Sequence, residues 1–302
     1  MLSKSLTIFA PAKINLYLDI INRMSNGYHN IYSVMQTVDL YDVIKIAVYD
    51  CNEKKININC DNKTICNESN LAYKAADIFC RENNVNNAEI YIDIKKNIPV
   101  SAGLGGGSAD AAAVLIALNT IFSYNLSKND LCKLGVKIGA DIPFCIMKGT
   151  MIAEGIGDIL LPCHEMPDCN ILIISKGDDI STKEAYEKYD ELNLKRNMGN
   201  KYKSHKLIES LNKKDLNGIC ENLYNAFENV TDGISDSIEM MRNCGSLGVL
   251  MSGSGPAVYG IFQCSENDKI TKVRDILKKQ GFNTYLCHPC GNKDIIDFND
   301  NL

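Results

Sequence analysis

The 302-residue sequence has no long apolar run and no excess of positive charge. Nothing in it approaches the ~18 consecutive apolar residues of a membrane-spanning helix, so we expect no membrane partner. Acidic residues outnumber basic residues by 37 to 32, which gives a formal net charge of -5. Nucleic-acid binding usually requires a strongly basic face, and this balance argues against a nucleic-acid partner.

The sequence also lacks a secretion signal and a cysteine framework. The apolar run near the N-terminus is too short for a signal peptide, so we expect a cytoplasmic protein whose 13 cysteines are reduced. Cys287 and Cys290 flank His288 in a CHPC sequence, which could suggest a metal site. No second pair follows at zinc-finger spacing, and ordinary thiols are the favoured interpretation. We assign no metal ligand.

A dense glycine cluster lies between a strand pattern and a helix pattern. Gly103, Gly105, Gly106 and Gly107 belong to the sequence NIPVSAGLGGGSADAAA. Because glycine has no Cβ, this backbone can adopt positive φ and approach a ligand closely. Ser108 is placed to cap the Ala-rich helix that follows, and the free N–H groups at a helix start suit phosphate. The pattern predicts a phosphate-binding loop, with a glycine-rich turn that binds nothing as the alternative.

Two commoner nucleotide-binding motifs do not fit this cluster. A Walker A loop needs Gly-Lys-Ser/Thr, but the nearest lysines, Lys95 and Lys96, precede the glycines. A G-x-G-x-x-G fingerprint starting at Gly103 would need a third glycine where Ser108 stands. No acidic residue ends a second strand at the expected distance either. A phosphate site of another kind is therefore indicated.

Strand and helix patterns alternate along the whole chain. Two alternating segments, 12–21 and 31–40, flank the Asn26-Gly27 turn signal and predict a hairpin. In chain order the other predicted elements are strands at 43–49 and 56–60, a helix at 70–83, a strand at 90–94, a helix from 127 to about 139, a strand and turn at 151–161, a strand at 171–175, a charged helical region at 182–216, two strands within 248–262, a helix at 268–279 and a final strand. This mixture predicts two α+β domains, and the proline-containing LPCHEMPDCN sequence is the candidate boundary.

Two charged residues are candidates for phosphoryl transfer. Lys13 lies on the first predicted strand, where its ammonium could stabilise charge on a transferring phosphoryl group. Asp141 lies in GADIPF, where Pro143 should force Ile142 out of helical geometry and leave the aspartate on a bend. Its carboxylate could accept the proton of a substrate hydroxyl. Each residue alone also suits a structural role, as a strand-edge lysine or a turn carboxylate.

An aromatic ring and a hydrogen-bonding ring, Tyr28 and His29, follow the Asn-Gly turn. Such a pair could hold a nucleobase. A packed tyrosine beside an exposed or internally satisfied histidine is the structural alternative.

Taken together, these segments resemble the GHMP kinases. The matching sequences are APAKINLYL, NGYHNIYSVMQTVDLYD, NLAYKAA, KNIPVSAGLGGGSADAAA, GADIPF with AEGIGDIL, and MSGSGPAVYGIF, in order along nearly the whole chain. The resemblance implies an α+β fold of two domains with the active site in the cleft between them. The N-terminal domain, expected over residues 1–162, would resemble domain 2 of ribosomal protein S5. The C-terminal domain, over 163–302, would be ferredoxin-like.

The combination of NGYH, GLGGGS and GADIPF is most similar to the family members that act on a cytidine diphosphate-linked methylerythritol. The resemblance therefore implies an enzyme that transfers the γ-phosphate of ATP to the 2-hydroxyl of this small molecule, a step of the non-mevalonate route to isoprenoid precursors. ATP chemistry in turn implies Mg²⁺, for which no protein ligand can be named. The oligomeric state is not predicted.

The resemblance also implies roles for individual residues. Lys13 and Asp141 match the catalytic pair, with Asp141 as the base. The loop that wraps the ATP phosphates corresponds to Pro99, Val100, Ser101, Ala102, Gly103, Leu104, Gly105, Gly106, Gly107, Ser108 and Ala109. Asn70 and Lys96 match positions close to the adenine.

A cytidine pocket is implied at Asn15, Tyr28 and His29, with Thr182 and Tyr186 completing it from the second domain. One departure from the family pattern is Ala109, where a second serine is usual, so a potential hydroxyl contact to phosphate or metal is absent. Asp42 falls in a variable segment and receives no role.

Two alternatives remain at this stage. Another GHMP kinase could act on mevalonate or homoserine, but those substrates carry no base for Tyr28 and His29 to hold. A catalytically inactive nucleotide-binding or regulatory protein could share the fold. The presence of both Lys13 and Asp141 argues against the second alternative, because a sensor needs no base.

Overall fold

Two β-sheets organise the part of the chain that the computed structural model describes, residues 2–176, 181–192 and 198–297. The first sheet is built on two long antiparallel strands, β1 (Leu2–Arg23) and β2 (His29–Asp50). The remaining elements, in chain order, are β3 (Lys55–Cys60), α1 (Leu71–Glu82), β4 (Ala88–Lys95), α2 (Gly106–Phe122), α3 (Lys128–Gly135), α4 (Ile142–Met147), β5 (Thr150–Glu154), β6 (Ile159–Pro162), β7 (Asn170–Ser175), α5 (Thr182–Glu191), α6 (Met198–Lys213), α7 (Leu216–Glu221), β8 (Tyr224–Asn225), α8 (Ile234–Asn243), β9 (Gly248–Met251), β10 (Val258–Phe262), α9 (Asn267–Lys279), β11 (Asn283–Cys287) and β12 (Ile296–Asp297).

The first sheet has the strand order β12-β1-β2-β4-β3 over the described residues, with β5 and β8 pairing alongside β2 and β1. One strand, β2, runs through both segments that the sequence patterns separated, 31–40 and 43–49. The register of the β1–β2 pair shifts between Pro11 and Ala12, so residues of β2 bulge there without ending the strand. A bulge interrupts the alternation of side chains, which is why the pattern suggested two strands.

The second sheet has the order β11-β7-β10-β9. A hydrophobic core between the two sheets joins Ile14 and Val38 of the first sheet to Ile171 and Tyr259 of the second. Further cores cover the outer faces, with α1 and α2 on the first sheet and α5, α8 and α9 on the second. Three apolar residues of the glycine-rich segment, Ile98, Ala102 and Leu104, belong to the core between the sheets, so the loop is anchored there.

Most predicted elements are confirmed, including α1, β4, the paired strands β9 and β10, and Ser127 as the residue whose side chain caps α3. The charged region 182–216 is divided among α5, α6 and α7, and its residues 193–197 lie outside the described part of the chain. Strands after residue 163 form the second sheet, but β8 and β12 return to β1. The domain boundary at 162/163 stays a prediction. Within the described ranges, no helix combines the length and apolarity needed to cross a membrane.

Two predictions about helix starts are wrong. The loop helix α2 begins at Gly106 with Gly105 as its N-terminal cap, so Ser108 lies inside the first turn and does not cap it. Likewise Ile142 is helical, as the first residue of α4, with Pro143 in the first turn and Asp141 immediately before the helix. Proline is accepted in a first turn because its missing N–H has no partner there in any case.

Candidate active site

A cavity of about 860 Å³ is lined by the glycine-rich segment, the second half of β1, the Asn-Gly turn, α5 and the turn after β9. The sequence-predicted residues that line it are Lys13, Asn15, Tyr28, His29, Asn70, Lys96, Pro99, Val100, Ser101, Ala102, Gly103, Leu104, Gly105, Gly106, Gly107, Ser108, Asp141, Thr182 and Tyr186. Ala109 is the exception, because it is buried and its N–H donates to the Gly105 carbonyl at 2.8 Å. The expectation that Ala109 contacts the ATP phosphates is therefore corrected. Its side chain is buried and its N–H closes the first hydrogen bond of α2.

The structure brings Lys13 and Asp141 together although they are far apart in sequence. The Lys13 Nζ lies 3.7 Å from Asp141 Oδ2, and the exposed fractions of the two side chains are 5% and 34%. Lys13 also donates from Nζ to the Asn15 side-chain oxygen at 2.8 Å. A buried ammonium between these oxygen atoms has one defined position beside a partly exposed carboxylate. This is the geometry needed to place positive charge and a proton acceptor next to one reacting hydroxyl.

Asn15 has both ends of its amide engaged within the protein. Its oxygen accepts from Lys13 and from the backbone N–H of Gly253 at 3.0 Å, and its Nδ2 donates to Ser33 Oγ at 2.9 Å. Although Asn15 lines the cavity as expected, these bonds make it a positioning residue for Lys13. Its predicted contact with cytidine stays a prediction, and the amide itself contacts Lys13 and the turn after β9.

Two glycines of the loop are required by neighbouring parts of the protein. A Cβ at Gly103, whose φ is +77°, would lie 2.0 Å from the Ser252 carbonyl oxygen. One at Gly105, whose φ is +70°, would lie 2.9 Å from Cγ of Lys13. The sequence argument attributed these glycines to positive φ and to close approach of a ligand. The positive φ is confirmed, and the glycines also let the loop pack against the turn after β9 and against Lys13.

The N-terminus of α2 has the features of an anion-binding site. The first intrahelical bond closes from the N–H of Ala109 to Gly105, so the preceding N–H groups of Gly106, Gly107 and Ser108 have no partner within the helix. All three residues line the cavity. Free N–H groups at the positive end of a 17-residue helix are suited to phosphate oxygens.

Beneath the loop, Lys96 is held by two buried carboxylates. Its ammonium contacts Asp42 and lies 2.7 Å from Asp110 Oδ2, and all three side chains are nearly inaccessible. Burial raises the pKa of Asp110 to about 8, with the Lys96 charge opposing and the Asp42 charge adding to the rise. Burial alone would lower the pKa of Lys96, but the two carboxylates reverse this and hold it above its ordinary value. The Lys96 ammonium expected near adenine is therefore engaged within the protein.

Asp42 also fixes the start of the glycine-rich segment. Its Oδ1 accepts the backbone N–H groups of Asn97 at 2.6 Å and Ile98 at 2.8 Å. Because Asp110 belongs to the first turns of α2, Asp42, Lys96 and Asp110 together connect both ends of the loop. Sequence reasoning missed both aspartates. A lone carboxylate within the apolar ADAAAVLIAL sequence was the available signal for Asp110.

Asn70 contributes to the cavity wall as the cap of α1. Its oxygen accepts from the Ala72 N–H at 2.8 Å, and its Nδ2 donates to the Ile65 carbonyl at 2.8 Å. The predicted proximity of Asn70 to adenine remains a prediction, and the cap gives this position a structural role of its own.

Aromatic and polar groups from distant parts of the chain meet at another part of the cavity wall. The His29 ring stacks on Tyr186 of α5 at a centroid distance of 4.5 Å and an interplanar angle of 15°. Tyr28 is 60% exposed, and Thr182 pairs through its hydroxyl with Ser254 at 3.0 Å. The structure thus brings the two predicted halves of the base pocket together. Sequence reasoning missed Ser254, although the Gly-Ser-Gly-Pro sequence around it was a visible signal.

Comparison with known proteins agrees with this geometry. A family profile described as GHMP kinases N terminal domain matches residues 70–149, and one described as GHMP kinases C terminal matches residues 207–283. A protein of Clostridioides difficile (strain 630) named 4-diphosphocytidyl-2-C-methyl-D-erythritol kinase is 41% identical over 273 residues, which cover 89% of this chain and 90% of that protein. The chain belongs to this kinase family, within the GHMP kinases.

Other relatives agree in name and fold. The protein of the same name from Lachnospira eligens is 39% identical over 92% of this chain and 95% of its own length. A crystal structure of 4-(cytidine 5'-diphospho)-2C-methyl-D-erythritol kinase has a TM-score of 0.76 at 26% identity, covering 94% of this chain and all of that one. A homoserine kinase from Cytophaga hutchinsonii, at 17% identity and a TM-score of 0.77, is similar in fold alone. The predicted two-domain GHMP kinase fold is confirmed, and as a member of the family the chain is a small-molecule kinase that uses ATP.

Proposed function

We propose that this kinase transfers the γ-phosphate of ATP to the 2-hydroxyl of 4-diphosphocytidyl-2-C-methyl-D-erythritol, in the non-mevalonate route to isoprenoid precursors. The observation that carries the proposal is the Lys13–Asp141 pair in a cavity that the loop at the α2 N-terminus and the His29–Tyr186 stack also line. A phosphate site and an aromatic site in one cavity suit two ligands, a nucleotide donor and a base-containing acceptor. The relatives at about 40% identity bear this substrate in their names.

Each group of residues has a role that follows from its position in the cavity. The N–H groups of Gly106, Gly107 and Ser108 bind the phosphate oxygens of the nucleotide. Asp141 accepts the proton of the acceptor hydroxyl as that oxygen attacks the γ-phosphorus, and the fixed ammonium of Lys13 stabilises the charge on the transferring group. Tyr28, His29 and Tyr186 hold the cytosine base, which orients the hydroxyl.

Mg²⁺ fits this site as a partner of the nucleotide. The described residues contain no group of three or more His, Cys, Asp or Glu side chains that could hold a metal by themselves. Mg²⁺ with ATP needs only one or two protein oxygens, because phosphates and water supply the rest. Ser108 carries a hydroxyl oxygen in the cavity wall and would provide such a contact. When bound, the metal neutralises charge on the β- and γ-phosphates.

The test is a panel of four acceptors assayed for ADP release with Mg·ATP: diphosphocytidyl methylerythritol, mevalonate, homoserine and galactose. We expect turnover with the first acceptor at a kcat/KM at least about 100-fold above the others, the size of discrimination that several lost contacts produce. Turnover with mevalonate or homoserine and none with the cytidine compound would overturn the proposal. A cytoplasmic location and the lack of a nucleic-acid partner stay predictions from composition.

A further inference from the structure

A carboxylate that the sequence did not point to contacts the predicted base-binding histidine. Asp190, in the last turn of α5, lies with Oδ1 2.8 Å from Nε2 of His29. Its other oxygen, Oδ2, lies 3.2 Å from a guanidinium nitrogen of Arg23. Arg23 and His29 face each other as cross-strand partners at the end of the β1–β2 pair, so Asp190 binds both with separate oxygens. All three residues line the cavity.

This contact selects one tautomer of the imidazole. An ionised carboxylate only accepts hydrogen bonds, so the nitrogen that faces it must carry the proton. In the neutral ring Nε2 is then the donor, and Nδ1 keeps the lone pair. Arg23 supplies the positive charge that balances Asp190, so the contact does not require a charged imidazole.

The ring plane is fixed by packing as well. Tyr186 stacks against His29, and the edge contact of Tyr186 with Phe227, at a centroid distance of 4.9 Å and 84°, holds the tyrosine in turn. His29 itself is 8% exposed, so its ring has little room to rotate. Because the orientation and the tautomer of the His29 ring are both fixed, its Nδ1 is a hydrogen-bond acceptor with one defined direction.

We propose that Asp190, balanced by Arg23, is a positioning residue that holds His29 as the Nε2–H tautomer and so makes the pocket select a base with an exocyclic amino group. The amino group of cytosine donates a hydrogen bond to Nδ1. The carbonyl oxygen of uracil at the same place is an acceptor and meets a second lone pair. The inference rests on the proposed function and adds the residues that determine its base preference.

The Asp190→Asn variant tests this mechanism because Arg23 and His29 determine how the new amide is oriented. Arg23 is a donor only and will take the amide oxygen, which turns the amide NH₂ toward His29. A donor facing Nε2 selects the opposite tautomer, with the proton on Nδ1. We expect the preference for cytidine diphosphate over uridine diphosphate, measured by calorimetry, to fall by about 10-fold or more, the usual effect of one mismatched polar contact. The affinity for ATP should stay the same.

The tautomer is measured directly by ¹⁵N NMR of the histidine side chains, with His29→Gln identifying the His29 signals among four histidines. Asp232→Asn is the matched control, because it removes a carboxylate that also bonds α5, through Lys188 at 2.7 Å, on the exposed surface. We expect Nε2–H in the parent, Nδ1–H in Asp190→Asn, and parental behaviour in the control. A merely structural Asp190 would change stability without inverting the tautomer or the base preference.

Several outcomes would overturn the inference. One is a parent His29 protonated on Nδ1 or on both nitrogens, which needs no variant to detect. Another is an inverted tautomer with unchanged base preference. If Asp190→Asn does not fold, Asp190→Ala replaces it, with mixed tautomers and a smaller loss of preference expected. Binding of cytidine diphosphate and uridine diphosphate is measured without turnover. A failure of the acceptor panel would therefore refute the proposed function, while the measured base preference would still test this inference.

Discussion

The side-chain oxygen of Asn15 accepts a hydrogen bond from the backbone N–H of Gly253, 3.0 Å away and 238 positions later in the chain. The same oxygen receives the Lys13 ammonium at 2.8 Å. Gly253 lies in the turn after β9, and the neighbouring Ser252 donates from Oγ to the Gly103 carbonyl at 3.0 Å. This turn therefore connects Lys13 to the glycine-rich loop, and Asn15 is hydrogen-bonded to both Lys13 and the turn.

Replacing Asn15 by alanine should reduce both turnover and stability. The change leaves the Gly253 N–H and the Lys13 ammonium without their buried acceptor, which costs about 1–3 kcal/mol of unfolding free energy. A less defined ammonium position should lower kcat about 10-fold or more. Steady-state kinetics and denaturant unfolding measure the two effects. Asn57→Ala on the exposed face of β3 is the control, and equal behaviour of the two variants would contradict the positioning role.

Replacing Asp141 by asparagine should remove turnover while leaving nucleotide binding nearly unchanged. The amide cannot accept the hydroxyl proton, and loss of a general base typically costs 10²- to 10⁴-fold, so we expect kcat to fall by about that factor. Asparagine keeps the size of the side chain next to Lys13, so the cavity should retain its shape. ADP release and nucleotide titration provide the measurements, with exposed Asp93→Asn as the control. A variant that turns over at the parent rate would remove Asp141 from the role of base.

Replacing Asp42 by asparagine should raise the KM for ATP more than the KM for the acceptor. Asp42 accepts the N–H groups of Asn97 and Ile98 at the start of the phosphate loop and pairs with Lys96. An amide can present only one oxygen to these three donors, so the loop loses part of its support. We expect an increase of about 10-fold in KM for ATP, from the loss of one charge-assisted bond.

The control for Asp42 is Asp61→Asn. Asp61 accepts the backbone N–H of Lys96 at 3.2 Å from the exposed side and does not belong to the buried ion cluster. Its variant should keep the parent KM for both substrates. A rise in the acceptor KM equal to that for ATP in Asp42→Asn would show a general disturbance of the cavity and refute a specific effect on the loop.

The sequence allowed prediction of those parts of the site that are contiguous in the chain. Residues 99–108 form one continuous segment whose glycines and following helix are evident in the sequence. All ten line the cavity, and the core holds the segment through Ala102 and Leu104. The pairing of Lys13 with Asp141 could not come from spacing, because it depends on how β1 and α4 pack. It was available only through the resemblance to a known family.

What the sequence could not predict are the carboxylates that support the site. Asp42, Asp110 and Asp190 each act through partners contributed by remote segments, and a single aspartate gives no sign of such partners. The start of α2 was misplaced for a related reason. Serine is the better cap by local preference, but the left-handed backbone at Gly105 and its contact with Lys13 set the helix start earlier.

The buried carboxylate of Asp110 should make stability depend on pH. Its pKa rises from an ordinary value of 3.8 to about 8 in the folded chain, chiefly through burial. Between these values the folded state holds a proton that the unfolded state has released, so the contribution of Asp110 to stability is complete below about pH 4 and is lost as pH rises toward 8. One such proton changes the unfolding free energy by at most about 1.4 kcal/mol per pH unit.

Asp110→Asn removes this titration while keeping an oxygen for Lys96, so its unfolding free energy should fall less steeply than the parent's between pH 5 and about 8. Denaturant unfolding across that range measures the difference in slope. Asp130→Asn is the control, because the hydrogen bond from Lys133 lowers the pKa of that exposed carboxyl to about 2 and it is ionised in both states throughout the range. Parallel curves for the parent and Asp110→Asn would mean that Asp110 is already ionised in the folded protein and that Lys96 outweighs the effect of burial.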